Sequence, residues 1–186
     1  MDLLNFVENI PGEKPDKYDL GYVKEIYNDI FTPRKDSCKK ILEIGIQYGL
    51  SLLLWEKYFL NADIYGIDVE YCHHVTNSTR IHPYFKDAYR KDSVEMFEPN
   101  TFDIVIDDGP HTLESMIFFC KNYFHLVKPG GVFVIEDIID INWTPILINF
   151  FGKKHSVQVY HMAGKCLNDD LNHKWKNGLD VIVVEK

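Results

Sequence analysis

Four cysteines, Cys38, Cys72, Cys120 and Cys166, are spread through the chain with no CxxC pair. That dispersal argues against a zinc ribbon or a disulfide framework and favours free thiols in a reducing compartment. No stretch approaches eighteen apolar residues, so no membrane-crossing helix is expected. The start, Met1-Asp2-Leu3-Leu4, lacks the basic residues and apolar run of a signal peptide, and the expected location is cytoplasmic. Basic residues are in deficit, 20 Lys and Arg against 28 Asp and Glu, for a net charge of −8. A nucleic-acid partner is therefore not expected, because phosphate binding needs clustered cations. The densest basic group, Arg34, Lys35, Lys39 and Lys40, is interrupted by Asp36 and reads as a solvated approach to a strand. Repeats, low-complexity tracts, a GxGxxG turn and a phosphate-loop lysine are all missing.

What remains is an ordinary globular mixture of 186 residues, 46% hydrophobic and 26% charged, enough for one domain with a substantial core. Leu3, Phe6, Val7 and Ile10 recur at helical spacing before Pro11-Gly12. A second helix is predicted over 19–31, with Leu20, Val23, Tyr27 and Ile30 on one face. These two form an N-terminal helical cap, residues 1–37. Strands and helices then alternate through 38–137: strands at 40–44, 64–68, 81–85, 102–107 and 132–135, helices at 50–59, 93–97 and 113–127. Pro83 suits a sheet edge. Thr112 can cap the helix at 113, and Lys128-Pro129-Gly130-Gly131 stops it. Repeated β-α-β units imply a parallel sheet with helices on both faces. Two strand-like runs in 138–186, at 157–160 and 181–184, have no clear crossover helix between them and predict an antiparallel finish.

The chemistry concentrates where two apolar runs end in adjacent carboxylates. The first is Ile104-Val105-Ile106-Asp107-Asp108-Gly109-Pro110-His111; the second is Val132-Phe133-Val134-Ile135-Glu136-Asp137. In an open parallel sheet the carboxyl ends of strands meet at one crevice. Four carboxylates gathered there repel unless a cation neutralises them, which suggests a hard divalent metal with the imidazole of His111 beside it. A plain turn at Asp107-Asp108-Gly109 is the competing reading.

A ligand half precedes this. Ile41-Leu42-Glu43-Ile44-Gly45-Ile46-Gln47-Tyr48-Gly49 is a strand running through a glycine turn into a helix, where backbone can approach a ligand closely. Asp68 ends the next strand about twenty residues on, where a carboxylate can accept both ribose hydroxyls. Asp87-Ala88 follows the third strand, where an adenine edge can be read. The absence of a phosphate cradle points to a nucleoside ligand without a pyrophosphate.

These residues resemble class I S-adenosylmethionine-dependent methyltransferases, on a Rossmann-like sheet. The resemblance implies that Glu43 faces the methionine end of the cofactor, that Gly45 and Gly49 make room for it within a turn carrying Gln47 and Tyr48, that Asp68 binds the ribose, and that Asp87 and Ala88 flank the adenine. Gln47 departs from the glycine many members carry. Read together, Asp16-Lys17-Tyr18-Asp19, Glu43-Ile44-Gly45, Ile64 to Asp68, Ile106 to His111 and Glu136-Asp137 through Trp143 resemble the metal-dependent sugar O-methyltransferases of the mycinamicin and tylosin type. That likeness implies Asp108, Glu136 and Asp137 as metal ligands and His111 as general base. Asp108 and His111 have the spacing of the metal aspartate and base lysine in the similar catechol O-methyltransferases. Asp107 then supports the loop or the cofactor, and Lys17 either reaches the cofactor carboxylate or is solvated. Trp143 stacks on a sugar or joins the core.

The expected activity is methylation of a sugar or glycan hydroxyl in a vicinal diol, using S-adenosylmethionine and Mg²⁺, with Mn²⁺ as an alternative ion. A metal-independent methyltransferase, an NAD-dependent oxidoreductase and a non-catalytic nucleoside-binding module are the competing readings. The remaining histidines, His73, His74, His82, His125, His155, His161 and His173, show no ligand spacing, and the Phe118-Phe119 and Phe150-Phe151 pairs read as core. An acceptor wall has to come from residues 1–35 and 138–178 or from a partner subunit. The chain can also be a homo-oligomer or one module of a larger glycan-modifying protein.

Overall fold

Alternate residues of each central strand feed two separate apolar clusters. Ile41, Ile104, Ile106, Val132, Val134, Val181 and Val183 belong to one; Leu42, Val105, Phe133, Ile135, Ile182 and Val184 belong to the other. Side chains alternate across a strand, so the sheet is covered on both faces. The computed structural model describes residues 1–71, 75, 78–174 and 179–186. Cys72, His73 and His74 lie outside the described residues, as do residues 175–178 of the acceptor-side segment.

The elements in chain order are α1 (Leu3–Asn9), α2 (Asp16–Asp19), α3 (Asn28–Phe31), β1 (Lys40–Ile44), α4 (Leu50–Tyr58), β2 (Asp63–Asp68), β3 (Ile81–Phe85), α5 (Lys91–Val94), β4 (Phe102–Asp107), α6 (Leu113–Tyr123), β5 (Val127–Ile138), α7 (Thr144–Ile148), β6 (Ser156–His161), α8 (Asp169–Lys174) and β7 (Asp180–Glu185). Seven strands form one sheet in the order β3-β2-β1-β4-β5-β7-β6. The first five are parallel to one another, and β7 is antiparallel to β5 and β6. This is the expected Rossmann-like sheet with an antiparallel finish. Pro83 sits on the edge strand β3, opposite Gly66. Helices α1 and α4 and the Val23–Tyr27 segment cover one face; α6 and α7 cover the other.

Several boundaries differ from expectation for local reasons. The second helix does not run unbroken from 19. Gly21, at φ +82°, reverses the chain after α2, and a Cβ there would lie 2.4 Å from the Lys165 carbonyl oxygen. A π turn at Val23–Tyr27 then leads into α3. The helix predicted to 127 ends at Tyr123, followed by a 3₁₀ turn, Phe124–Leu126. Lys186 Nζ gathers the carbonyls of Phe124, His125 and Val127 there, at 3.4, 3.3 and 2.7 Å. A cation at a helix C-terminus satisfies orphan acceptors. Strand β5 therefore begins before the glycines, which make a register shift against β4. Helix α5 starts two residues earlier than predicted, and α7 and α8 had no clear periodic signal. Thr112 does cap α6: its Oγ1 accepts from Ser115 N at 3.2 Å, and Ser115 Oγ accepts from Thr112 N at 3.2 Å.

Candidate functional site

Sheet order reverses between β1 and β4, and a cavity of about 580 Å³ opens at their carboxyl ends. Both the place and the size are those of a small-molecule site. Gly45, at φ +81°, packs directly on the loop after β4: a Cβ would lie 1.9 Å from the Asp108 carbonyl oxygen. Gln47 lines the cavity at φ 43°, held there by Asp68. Asp68 Oδ2 accepts from the amides of Ile46 and Gln47 at 2.8 and 2.9 Å, and Oδ1 accepts from Glu70 N at 3.0 Å. An ionised carboxylate offers about four acceptor positions, so capacity remains on Asp68 for a ligand hydroxyl. Gly49 caps α4 at φ +81°, and Tyr48, 62% exposed, lines a smaller adjoining cavity with Asp16.

Asp87 and Ala88 line the same large cavity from the β3 side. Their turn is pinned from three directions. Ser93 Oγ donates to the Asp87 carbonyl and Tyr123 Oη to the Ala88 carbonyl, each at 2.6 Å, while Asp87 Oδ1 accepts from Tyr89 N at 2.8 Å. Tyr89 Oη in turn donates to Asp107 Oδ1 at 2.5 Å. Asp107 is buried, and burial pushes its carboxyl up to about 7 against the lowering effect of that bond. It braces the turn from behind while its neighbour faces the other way, as strand alternation requires.

On the opposite side, the N-terminal segment closes over the acidic strand ends. Lys17 is fully buried, which corrects the solvated alternative. Its Nζ lies 3.0 Å from Glu43 Oε1, 2.5 Å from Asp108 Oδ2 and 2.8 Å from Glu136 Oε2. Glu43 is buried too, and its Oε2 accepts from Trp55 Nε1 at 2.9 Å. Neither Lys17 nor Glu43 is among the cavity-lining residues. Tyr27 donates to Glu136 Oε1, and Tyr22 donates to Asp137 Oδ1. In the sequence Tyr27 shows only apolar periodicity, and Tyr22 carries no signal. Their five-residue separation across a π turn lets both hydroxyls reach the end of β5.

Glu136 and Asp137 are adjacent, so a regular strand would aim them to opposite faces. Asp137 instead adopts φ 54°, and the β5–β7 register shifts between Ile135 and Ile138. This bulge turns Glu136 inward to Lys17 and Asp137 toward His111. His111 also sits at positive φ, 53°, and lines the cavity. Its Nε2 lies 3.8 Å from Asp108 Oδ1 and 3.7 Å from Asp137 Oδ2. Backbone held in the left-handed region clusters at working sites.

Charge in this cluster is unbalanced. Four carboxylates, Glu43, Asp108, Glu136 and Asp137, face one ammonium. Burial raises Asp108 well above the carboxylate range despite Lys17, and raises Asp137 despite His111; Glu136 is pushed up to about 8. Lys17 is itself held well above its usual value: burial would lower it, and the carboxylates around it outweigh that. Burial lowers His111, partly offset by Asp137, which favours the neutral imidazole. Among the described residues, Asp108, His111 and Asp137 each offer a ligand atom within 4.8 Å of the others. The outward oxygens of Asp108 and Asp137 beside an imidazole fit a divalent cation, whose charge would favour the ionised forms of these raised carboxyls. The expected set of Asp108, Glu136 and Asp137 is thus placed with Glu136 behind, 1% exposed and bonded through both oxygens.

The remaining sequence candidates are structural or peripheral. Cys38, Cys120 and Cys166 are free. Trp143 packs against the second apolar cluster at the start of α7. Phe119 and Phe151 are core, whereas Phe150 is 37% exposed. His161 pairs with Asp180 at 2.8 Å and His82 with Asp63 at 3.6 Å. Among the described residues, no helix is long and apolar enough to cross a membrane.

The chain is similar to several known methyltransferases. The rhamnosyl tetracenomycin-C 2'-O-methyltransferase of Streptomyces olivaceus is 29% identical over 140 residues, 69% of this chain and 36% of that protein. The mycinamicin VI 2''-O-methyltransferase of Micromonospora griseorubida is 31% identical over 136 residues, 68% of this chain and 33% of that protein. The chain thus spans about a third of the length of the curated relatives it matches. Among solved structures, the mycinamicin-pathway methyltransferase MycE, in complex with Mg, S-adenosylhomocysteine and mycinamycin VI, superposes with a TM-score of 0.60 at 25% identity. That superposition covers 94% of this chain and 55% of MycE. A family model described as a methyltransferase domain matches residues 42–138, from β1 to the end of β5 and over half of the chain. The chain belongs to that methyltransferase-domain family, on the class I S-adenosylmethionine-dependent fold.

Proposed function

We propose that this protein is an S-adenosylmethionine-dependent O-methyltransferase acting on a hydroxyl of a sugar-bearing acceptor, with Mg²⁺ or Mn²⁺ at the acidic cluster. The observation that carries this reading is His111. Its imidazole lines the cavity with Nε2 between outward oxygens of two carboxylates from neighbouring strand ends. The curated relatives are named for methylating sugar hydroxyls, and MycE was solved with Mg and S-adenosylhomocysteine.

In this reading the cofactor occupies the 580 Å³ cavity. Asp68 accepts the ribose hydroxyls, and Asp87 and Ala88 border the adenine. Gly45 and the Gln47–Gly49 turn give the methionine portion its clearance, with Tyr48 at the open side. Asp108 and Asp137 hold the cation through their outward oxygens, with Glu136 behind them. Bound there, the ion would lower the pKa of an acceptor hydroxyl, and a vicinal diol suits an ion that otherwise keeps water in those positions. His111 takes the hydroxyl proton at Nε2 as the new O–C bond forms and the sulfonium C–S bond breaks. A positioned base of this kind contributes about 10²–10⁴-fold. The buried wall from Lys17, Tyr22 and Tyr27 keeps the carboxylates from swinging and excludes water from behind.

A metal-independent version of the same transfer is the second reading. It is favoured by one observation: Lys17 already supplies a positive charge to Asp108 and Glu136. The deciding experiment is methyl transfer from labelled S-adenosylmethionine to a panel of glycosides bearing vicinal diols, with Mg²⁺ and with EDTA. Metal-dependent labelling supports the first reading and EDTA-resistant labelling the second. Failure to bind S-adenosylmethionine or S-adenosylhomocysteine calorimetrically overturns both.

A further inference from the structure

Lys17 is the least ordinary residue of the site. It comes from the short helix α2, yet its ammonium reaches three strand ends at once: Glu43 of β1, Asp108 after β4 and Glu136 of β5. A fully buried ammonium carries a large desolvation penalty, so it persists only where carboxylates offset it. The carboxylates depend on it equally, because removing one partner leaves buried charge uncompensated.

The oxygens are divided between two sides. Asp108 turns Oδ2 to Lys17 and Oδ1 to His111. Asp137 turns Oδ1 to Tyr22 and Oδ2 to His111. Glu136 gives one oxygen to Lys17 and the other to Tyr27. The inward oxygens of Asp108, Glu136 and Asp137 are therefore met by the N-terminal segment, and two outward oxygens are left facing the imidazole.

We propose that Lys17 is a tethered cation that splits the acidic cluster into an inner set, held without metal, and an outer pair, Asp108 Oδ1 and Asp137 Oδ2, where a divalent ion is admitted. The proposal rests on the metal reading of the site given above and extends it. Lys17 acts through Asp108 and Glu136, and is a positioning residue. Two consequences follow from its charge. The fold does not need the ion, because Lys17 and the hydroxyls of Tyr22 and Tyr27 already meet the inner oxygens of Asp108, Glu136 and Asp137. The ammonium also repels an ion at the outer pair, so it sets divalent affinity lower than the carboxylates alone would.

The test uses Mn²⁺ as probe, by paramagnetic resonance and calorimetry, with thermal unfolding in EDTA and in saturating Mn²⁺. The proteins are the wild type, Lys17→Met and Lys17→Met/Glu136→Gln. Wild type should unfold within a few degrees of the same temperature in both conditions. Lys17→Met should unfold much earlier in EDTA, recover in Mn²⁺, and bind Mn²⁺ about tenfold tighter or more, because a like charge at close range is gone. If the single variant fails to fold without metal, the double variant carries the test. Deleting the ammonium together with one carboxylate should restore unfolding in EDTA toward wild type and return Mn²⁺ affinity toward wild type. Weaker or unchanged Mn²⁺ binding by Lys17→Met, with wild type binding normally, overturns the tethered-cation proposal and leaves the metal reading intact. No Mn²⁺ binding by any of the three proteins overturns both.

Discussion

Gly45 and Asp108 touch backbone to backbone across the point where sheet order reverses: a Cβ on Gly45 would lie 1.9 Å from the Asp108 carbonyl oxygen. This contact joins the turn after β1 to the loop carrying Asp108 and His111. A side chain at 45 must push that loop away, and φ +81° is unfavourable for any L residue. Gly45→Ala is expected to cost roughly 1–3 kcal/mol of stability through strain and to weaken S-adenosylhomocysteine binding. Thermal unfolding and calorimetry check it. A variant with wild-type affinity would mean that the loop yields without disturbing the cavity.

His111 tests the chemical role most directly. Asparagine tolerates positive φ, so His111→Asn keeps the 53° backbone while removing the base. Turnover should fall by about 10²–10⁴-fold, with S-adenosylhomocysteine affinity nearly unchanged. Joint loss of both would make His111 part of the cofactor cradle instead.

Asp68 carries two tasks in one carboxylate. It fixes the Ile46–Gln47 amides and faces the cavity. Asp68→Ala should weaken cofactor binding by about 1.5–3 kcal/mol for each charged hydrogen bond lost. The control is affinity for adenosine: an equal loss there assigns the effect to the ribose end, whereas a loss confined to the full cofactor assigns it to the turn.

Arg80 gives a control away from the chemistry. Its guanidinium donates to the carbonyls of Glu56, Phe59 and Ala62 at 2.6, 3.0 and 2.8 Å, closing the C-terminal end of α4. Arg80→Ala should lower unfolding free energy by roughly 1.5–3 kcal/mol while leaving kcat unchanged at a temperature where the variant is folded. Denaturant titration measures the first and steady-state kinetics the second. A fall in kcat would show that the packing of α4 reaches the Gly45 turn.

Much of the fold was open to reading along the chain. The apolar runs 40–44 and 102–107, each followed by a turn and a helical stripe, already specify parallel β-α-β units. Pro83 specified an edge, because it cannot donate to a neighbour on its N–H side. Local rules failed where a distant group decided the boundary. Helix α6 stops at Tyr123 because Lys186, more than sixty residues later, claims the carbonyls beyond it. The second helix breaks because Gly21 must pass the Lys165 carbonyl.

The site divides along the same line. Residue types and strand-end positions determined by themselves that Asp68, Asp87, Asp108, His111, Glu136 and Asp137 belong near one crevice, since parallel strands deliver their carboxyl ends together. Only the tertiary structure decided which way each carboxylate points. A bulge at Asp137 separates it from Glu136, and alternation separates Asp107 from Asp108. It also decided the place of Lys17, Tyr22 and Tyr27. Nothing in their local spacing marks a lysine for burial, because burial of an ammonium is favourable only once three carboxylates from separate strands have been brought around it.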